Sequence, residues 1–136
     1  MKKIFLGIMF VISIITAAAC FATYSFWKGK TMTATEVKKK WGSERIDYKK
    51  FKMSTYEIKS KMAFLILTDK KLINKTYEEI REIFGPNDGY YFTDTTPAYI
   101  VQVGKDASED TWQLVFKMNN DYKVSEVIMH KNCCEQ

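Results

Sequence analysis

The sequence predicts an α+β fold: an N-terminal membrane helix, then two short helices packed on a three- or four-stranded antiparallel sheet. Three observations predict it. Ile4–Trp27 carries no charged residue. Apolar residues recur at helical spacing within residues 54–68 and 76–84. Apolar and polar residues alternate in the segments after residue 90, as they do in half-buried strands. The expected arrangement of the folded part is an ααβββ two-layer sandwich.

The first 27 residues are predicted to attach or deliver the protein to a membrane. The uncharged run Ile4–Trp27 is 24 residues long, and a helix of about 20 apolar residues spans a bilayer. Small residues before Cys20 also permit a cleaved signal peptide, or lipidation of Cys20 after cleavage. Lysines after the run favour a cytoplasmic domain. The signal-like segment favours export, and we expect the domain on the extracytoplasmic side.

Residues 28–52 are predicted to form a basic linker that becomes ordered towards its end, where Thr35–Trp41 can make two helical turns. The linker contains nine basic and three acidic residues, whereas the predicted domain, residues 53–136, contains ten and thirteen. The net charge of +5 therefore belongs to the linker. The linker is either solvated or in contact with anionic lipid. Basic and aromatic residues do not alternate on one face, so nucleic-acid binding is not expected.

The two predicted helices begin with the same motif, a hydroxyl residue three positions before a glutamate. This is the capping box, in which each side chain binds a backbone N–H of the other residue. The pairs are Ser54 with Glu57 and Thr76 with Glu79. The first helix is expected over Ser54–Thr68. The second ends at Gly85, which adopts positive φ readily, and at Pro86, which cannot continue a helix.

Four strands are expected after the helices: a weak one at Tyr90–Thr93, then Tyr99–Val103, Trp112–Met118 and Val124–His130. Turn residues between them indicate an antiparallel meander. The last strand breaks strict alternation, which predicts a bulge near Glu126. The helices should cover the face of the third strand that carries Trp112, Leu114 and Phe116. The opposite face should be open to water; it carries Ile100, Gln102, Gln113, Val115 and Lys117.

This order of elements resembles the SmpA/OmlA, or BamE-type, small envelope lipoprotein domain. The resemblance covers roughly residues 54–129 and rests on structural punctuation: the helix ending in Gly85-Pro86, then Tyr99, then the strand with Trp112, then the polar turn before Lys123. That domain shares its ααβββ plan with the β-lactamase-inhibitor-protein fold. The resemblance implies an envelope protein that binds other proteins, in the founding family as an accessory of outer-membrane protein assembly. In the inhibitor-like fold, the open sheet face and adjoining loops bind the partner.

The predicted function is therefore a non-enzymatic, membrane-anchored protein-binding domain of the cell envelope. Its expected partner is another envelope protein, without a cofactor, metal or small-molecule substrate. The expected binding residues are Tyr90, Tyr91, Phe92, Gln113, Val115 and Lys117. Two alternatives stay open: an inhibitor-like or immunity-like protein, and a small enzyme with an unrecognised site.

Residues with catalytic or metal-binding chemistry are few. His130 is the sole histidine and lies at the end of a predicted strand, so a site with several histidines is excluded. A catalytic histidine needs a positioned partner, and a structural or exposed role is expected for His130. Cys133 and Cys134 are adjacent, so a disulfide between them would be strained. The alternatives are a free pair of thiols or, if the domain is exported, an intermolecular disulfide.

Overall fold

The computed structural model describes Met9 and residues 12–16, 29–104 and 111–131. Helices pack on a four-stranded antiparallel sheet, so the predicted α+β class is confirmed. The elements are β1 (Thr31–Met32), α1 (Ala34–Trp41), α2 (Tyr48–Met53), α3 (Tyr56–Thr68), a 3-10 turn (Lys70–Leu72), α4 (Tyr77–Phe84), β2 (Ala98–Gln102), β3 (Trp112–Met118) and β4 (Val124–Lys131). Residues 12–16 are helical. Within the described ranges, no helix is long and apolar enough to cross a membrane.

The sheet has the strand order β1-β4-β3-β2, and every neighbouring pair is antiparallel. Strands β2, β3 and β4 form the predicted meander. Pairing changes from Lys117 opposite Glu126 to Met118 opposite Val124, so Ser125 is an extra residue. This is the bulge predicted near Glu126. Unlike in the prediction, the fourth strand is β1, which lies beside β4 at the opposite edge from β2.

The segment predicted as a linker is part of the folded unit. It supplies β1, α1 and α2, and the side chains of Val37 and Phe51 are completely buried in the core. Helix α1 has its own capping box, between Thr33 and Glu36. The folded unit therefore begins near Thr31 and not at residue 53. The segment lacked one long hydrophobic period because its apolar residues belong to three short elements, each burying one or two side chains.

The two predicted helix starts have different outcomes. At α4 the box forms as predicted: Glu79 N–H donates to Thr76 Oγ1 at 3.2 Å, and Thr76 N–H donates to Glu79 Oε2 at 2.8 Å. At α3 the prediction is wrong, because the cap residue is Thr55 and no side chain caps the helix. The Ser54 hydroxyl instead donates to the carbonyl of Lys50. Ser54 thus closes the preceding helix α2, a short helix that the sequence pattern did not predict.

The core lies between the helices and one face of the sheet. Phe84 of α4 packs on Phe116 of β3 with ring centroids 5.0 Å apart and on Phe51 of α2 at 5.3 Å. Leu114 and Phe116 are completely buried. The predicted assignment of this face to the helices is therefore confirmed. Tyr99 of β2 also reaches this cluster, and its hydroxyl donates to Gly85 O at 2.8 Å, which fixes the end of α4 to the sheet.

Candidate functional site

The second face of the sheet is covered where it was predicted to be open. Gln113 and Val115 both have a relative exposure of 0%, so the predicted open face is wrong at these two positions. The chain between α4 and β2, residues 86–97, folds back across this end of the sheet. We call this segment the aromatic loop, because Tyr90, Tyr91 and Phe92 lie in it. Ile100 and Gln102, also predicted on the open face, are half-buried.

The predicted strand at Tyr90–Thr93 is the centre of this loop and joins no sheet. It contains only an isolated bridge between Tyr91 and Thr93. The physical reason lies in Gln113, whose side-chain Oε1 accepts from Tyr90 N–H at 3.1 Å and whose Nε2 donates to Tyr90 O at 2.7 Å. A side chain thus takes the backbone groups that a neighbouring strand would use. Because Gln113 is buried, these bonds also satisfy a polar group that would be costly alone.

Gly89 allows the loop to lie this close to the sheet. Its N–H donates to Ala98 O at 3.0 Å. A Cβ atom at this position would lie 2.5 Å from Gln113 Oε1 and 3.2 Å from Ala98 Cβ. Any larger residue would therefore displace either the loop or the Gln113 amide that bonds to Tyr90.

Asp88 holds the start of the loop through both carboxylate oxygens. Oδ2 lies 2.6 Å from Lys59 Nζ, and Oδ1 accepts from Ile100 N–H at 2.7 Å. The Lys59 side chain is only 9% exposed. Its ammonium also lies 5.4 Å from the ring centre of Phe51 and 5.5 Å from that of Tyr56, within cation–π range. The ion pair therefore connects α3, the loop and the outer edge of β2.

The tip of the aromatic loop presents two large apolar side chains to solvent. Tyr90 is 58% and Phe92 54% exposed. Tyr91 points inward and packs edge-on against His130 with ring centroids 4.8 Å apart, while Phe92 packs on Tyr91 at 4.6 Å. The tip is thus an exposed pair of aromatic residues supported by a third.

The backbone at the tip is strained. Thr93 N–H donates to Tyr91 O at 2.7 Å, which closes a three-residue turn around Phe92. The φ angle of Phe92 is +57°, a region that a bulky L-residue rarely adopts. Such strain persists only where surrounding contacts determine the conformation, and it concentrates at functional sites. Here the contacts of Asp88, Gly89 and Gln113 fix the residues that lead into the turn.

Lys117 lies at the open end of the second face. Its Nζ is 2.9 Å from Glu126 Oε2 on the neighbouring strand, and this hydrogen bond raises the pKa of Lys117. Both side chains are about half exposed, so the pair remains accessible. The six predicted binding residues thus separate into three groups. Tyr90, Phe92 and Lys117 reach the surface; Tyr91 and Gln113 support the loop; Val115 is core.

The described residues contain no arrangement suited to metal binding: no three histidine, cysteine, aspartate or glutamate side chains among them are grouped around one point. His130 is 5% exposed and packed against Tyr91. Cys20, Cys133 and Cys134, predicted for lipidation or an intermolecular disulfide, lie outside the described ranges.

Lys59 and Asp88 were missed by sequence reasoning, although one of them carries a readable signal. Lys59 stands three, four and seven positions before Met62, Ala63 and Ile66, on the buried stripe of α3. A lysine on such a stripe requires an anion beside it. Asp88 could not be paired with it from sequence, since the two residues are distant in the chain and Asp88 was predicted in a turn that leads into a strand at Tyr90–Thr93.

No protein-family model, curated protein or solved structure matches this chain. The resemblance to the SmpA/OmlA domain therefore remains a prediction from the sequence.

Proposed function

We propose that this chain is a membrane-anchored cell-envelope protein that binds another envelope protein through the tip of the aromatic loop. The observation that carries the proposal is the exposed pair Tyr90 and Phe92 on a backbone fixed by buried contacts. Aromatic residues on a preorganised backbone are frequent anchors of protein interfaces, because little conformational entropy is lost when they bind.

The position of the loop favours a partner close to the membrane. His130 packs against Tyr91, and it also lies beside Gly29, where a Cβ atom would approach its Nε2 to 2.6 Å. His130 therefore lies between the aromatic loop and Gly29, where residues 1–28 join the domain. If the uncharged run Ile4–Trp27 is held in a membrane, the aromatic tip lies at the membrane-proximal end of the domain.

The proposed role is that of an extracytoplasmic binding module, similar to the accessory lipoproteins of the SmpA/OmlA type. Its support is the uncharged N-terminal run together with the exposed tip. In this proposal the domain binds its partner without catalysing a reaction, and residues 1–27 keep it at the membrane.

Affinity capture of the full chain from crosslinked membranes tests this function. Phe92→Ala should reduce capture of a specific partner by about five- to 150-fold, as expected when an interface anchor worth about 1–3 kcal/mol is removed. Tyr122→Ala is the matched control, since Tyr122 is also an exposed aromatic residue, at 65%, with positive φ, at +55°. Equal loss in both variants, or no loss with Phe92→Ala, would contradict a role for the tip.

A further inference from the structure

Three exposed lysines surround a shallow depression beside β1. Lys30, Lys39 and Lys40 line it together with Met32, Trp112 and Glu36. Glu36 is the acidic member, and its carboxylate already accepts from Thr33 N–H and Thr33 Oγ1, both at 2.7 Å. These bonds lower the pKa of Glu36, so it stays ionised and engaged in the cap of α1. The depression keeps an excess of positive charge over an apolar floor.

The apolar floor and the basic rim are combined in the side chain of Lys40. Its ammonium lies 5.0 Å from the ring centre of Trp41 and 5.8 Å from that of Trp112. A lysine in this position covers indole surface with its aliphatic stem and keeps its charge at the edge. An anion bound at the rim would therefore lie next to apolar groups, which is the environment at the boundary between phosphates and acyl chains.

Only two residues, Lys28 and Gly29, separate the uncharged run from Lys30 at the rim of this depression. Gly29 has a φ of +68°, and a Cβ atom there would lie 2.6 Å from His130 Nε2. Lys131 N–H donates to Lys30 O at 2.8 Å. The backbone is therefore fixed on the sheet from Gly29 onward, with one residue between Gly29 and Trp27, the end of the run.

This short connection sets the depth of the depression relative to a bilayer. At about 3.3–3.6 Å per residue, the backbone of Lys30 lies within about 11 Å of Trp27. The polar layer on each side of a bilayer is about 5–8 Å deep. If Trp27 lies at the end of a membrane segment, Lys30 and the depression lie at or just above the phosphates.

We propose that the depression formed by Lys30, Lys39, Lys40 and Trp112 rests on the phosphate groups of an anionic bilayer. This inference depends on the membrane anchoring in the proposed function. It assigns to the basic residues a definite partner, the lipid surface that holds residues 1–27, and it restricts the contact to the lysines around Trp112. Contact with the headgroups would fix the orientation of the domain and of the aromatic tip.

Quenching of Trp112 fluorescence tests the contact. The full chain with Trp27→Phe and Trp41→Phe, which keeps Trp112 as its tryptophan, is reconstituted in phosphatidylcholine vesicles that contain a headgroup nitroxide lipid. Adding phosphatidylglycerol should increase the quenching of Trp112, and high salt should remove the increase, because salt screens the contact of exposed charges. Lys39→Gln with Lys40→Gln should also remove it. Lys49→Gln with Lys50→Gln, which neutralises exposed lysines of α2, should leave it unchanged.

Each other outcome overturns the inference in a distinct way. Equal quenching in neutral and anionic vesicles, or an increase that survives the Lys39 and Lys40 substitutions, shows that the depression does not contact the headgroups. A change of Trp112 emission on adding glycerol phosphate to neutral vesicles assigns the site to a soluble phosphate compound instead. Flotation with neutral vesicles in high salt is measured in parallel. A chain that does not float refutes the anchoring and this inference together. A chain that floats, but whose Trp112 quenching does not depend on phosphatidylglycerol, refutes this inference alone.

Discussion

Lys59 is a buried lysine that forms an ion pair with Asp88. Its ammonium is buried beside Asp88, whereas the Asp88 side chain is 33% exposed and accepts a second hydrogen bond from Ile100 N–H. Loss of one partner therefore has different consequences for Lys59 and for Asp88. Removing the carboxylate leaves a buried charge, but removing the ammonium leaves a carboxylate that water and a backbone donor still stabilise.

Asp88→Ala should consequently lower the free energy of unfolding by about 2–4 kcal/mol, because it leaves the Lys59 ammonium without its anion. Lys59→Met retains the length and apolar stem of the side chain and should cost about 1 kcal/mol or less. Urea denaturation at neutral pH measures both. A larger loss for Lys59→Met than for Asp88→Ala would show that the ion pair is not the main contact of this lysine.

Val115 tests whether the aromatic loop covers the second face of the sheet. Val115→Glu should destabilise the domain by more than about 3 kcal/mol, since a completely buried site must then accept a carboxylate without a partner. Val103→Glu is the control at a site that is 45% exposed, and its effect should stay within about 0.5 kcal/mol. Thermal melts compare the two variants. Similar melting temperatures would mean that the loop leaves this face open.

The contrast between Phe116 and Val115 shows what a single residue pattern can predict. Alternation along β3 separates the two faces correctly, and the larger side chains indicate which face the helices cover. It cannot reveal that a loop covers the other face. The loop is held there by Gln113. A polar residue in an alternating strand is normally predicted to face solvent, but this side chain is buried and forms two hydrogen bonds to the backbone of Tyr90.

Among the elements, α4 has the start most clearly specified by its sequence. Folding lowers the pKa of Glu79 below its ordinary value of 4.5, first because its carboxylate accepts from Thr76 N–H, with a smaller contribution from Lys75. A carboxyl group whose pKa is lowered by folding stabilises the native state above its unfolded-state pKa. That contribution is lost as the pH falls through the folded-state pKa.

Melting temperature should therefore fall as the pH is lowered from about 5 to below 4, and part of this fall should belong to Glu79. Glu79→Gln keeps an amide oxygen that can accept from Thr76 N–H but does not titrate in this range. We expect a shallower decline for this variant over the same window, with the two curves converging at the acid end. Parallel curves would show that the Glu79 carboxylate is not coupled to folding.

Other elements could be predicted only where one pattern extends over several residues. Strand β3 was bounded correctly because seven alternating residues define it. Helix α2, with six residues, and β1, with two, are too short to show a period, and they form because the core accepts Phe51 and Met32. The capping box of Thr33 and Glu36 was the readable signal in this segment. It marks the start of α1 at Ala34, three residues after β1 begins at Thr31.

At the scale of the whole molecule, the aromatic tip and the lysine-lined depression lie near the point where residues 1–28 join the domain. Gly29 and Tyr91 meet at His130, so the aromatic loop lies where residues 1–28 join the sheet. The lysine-lined depression lies next to the same junction, because Lys30 belongs to it. If residues 1–27 are held in a membrane, as proposed, the partner must approach the domain near the membrane surface, where exposed aromatic side chains also favour the lipid headgroups.

Site-specific photocrosslinking in native membranes shows whether the aromatic tip contacts a protein. A benzophenone amino acid replaces Phe92 in the full chain, and a second variant carries it at Tyr122, which is 65% exposed on the turn between β3 and β4. Adduct formation is followed by gel shift and mass spectrometry. We expect one discrete protein adduct from position 92 and none, or a much weaker one, from position 122. A lipid adduct at position 92, or identical protein adducts from both positions, would contradict the proposal that the aromatic tip is a protein-binding site.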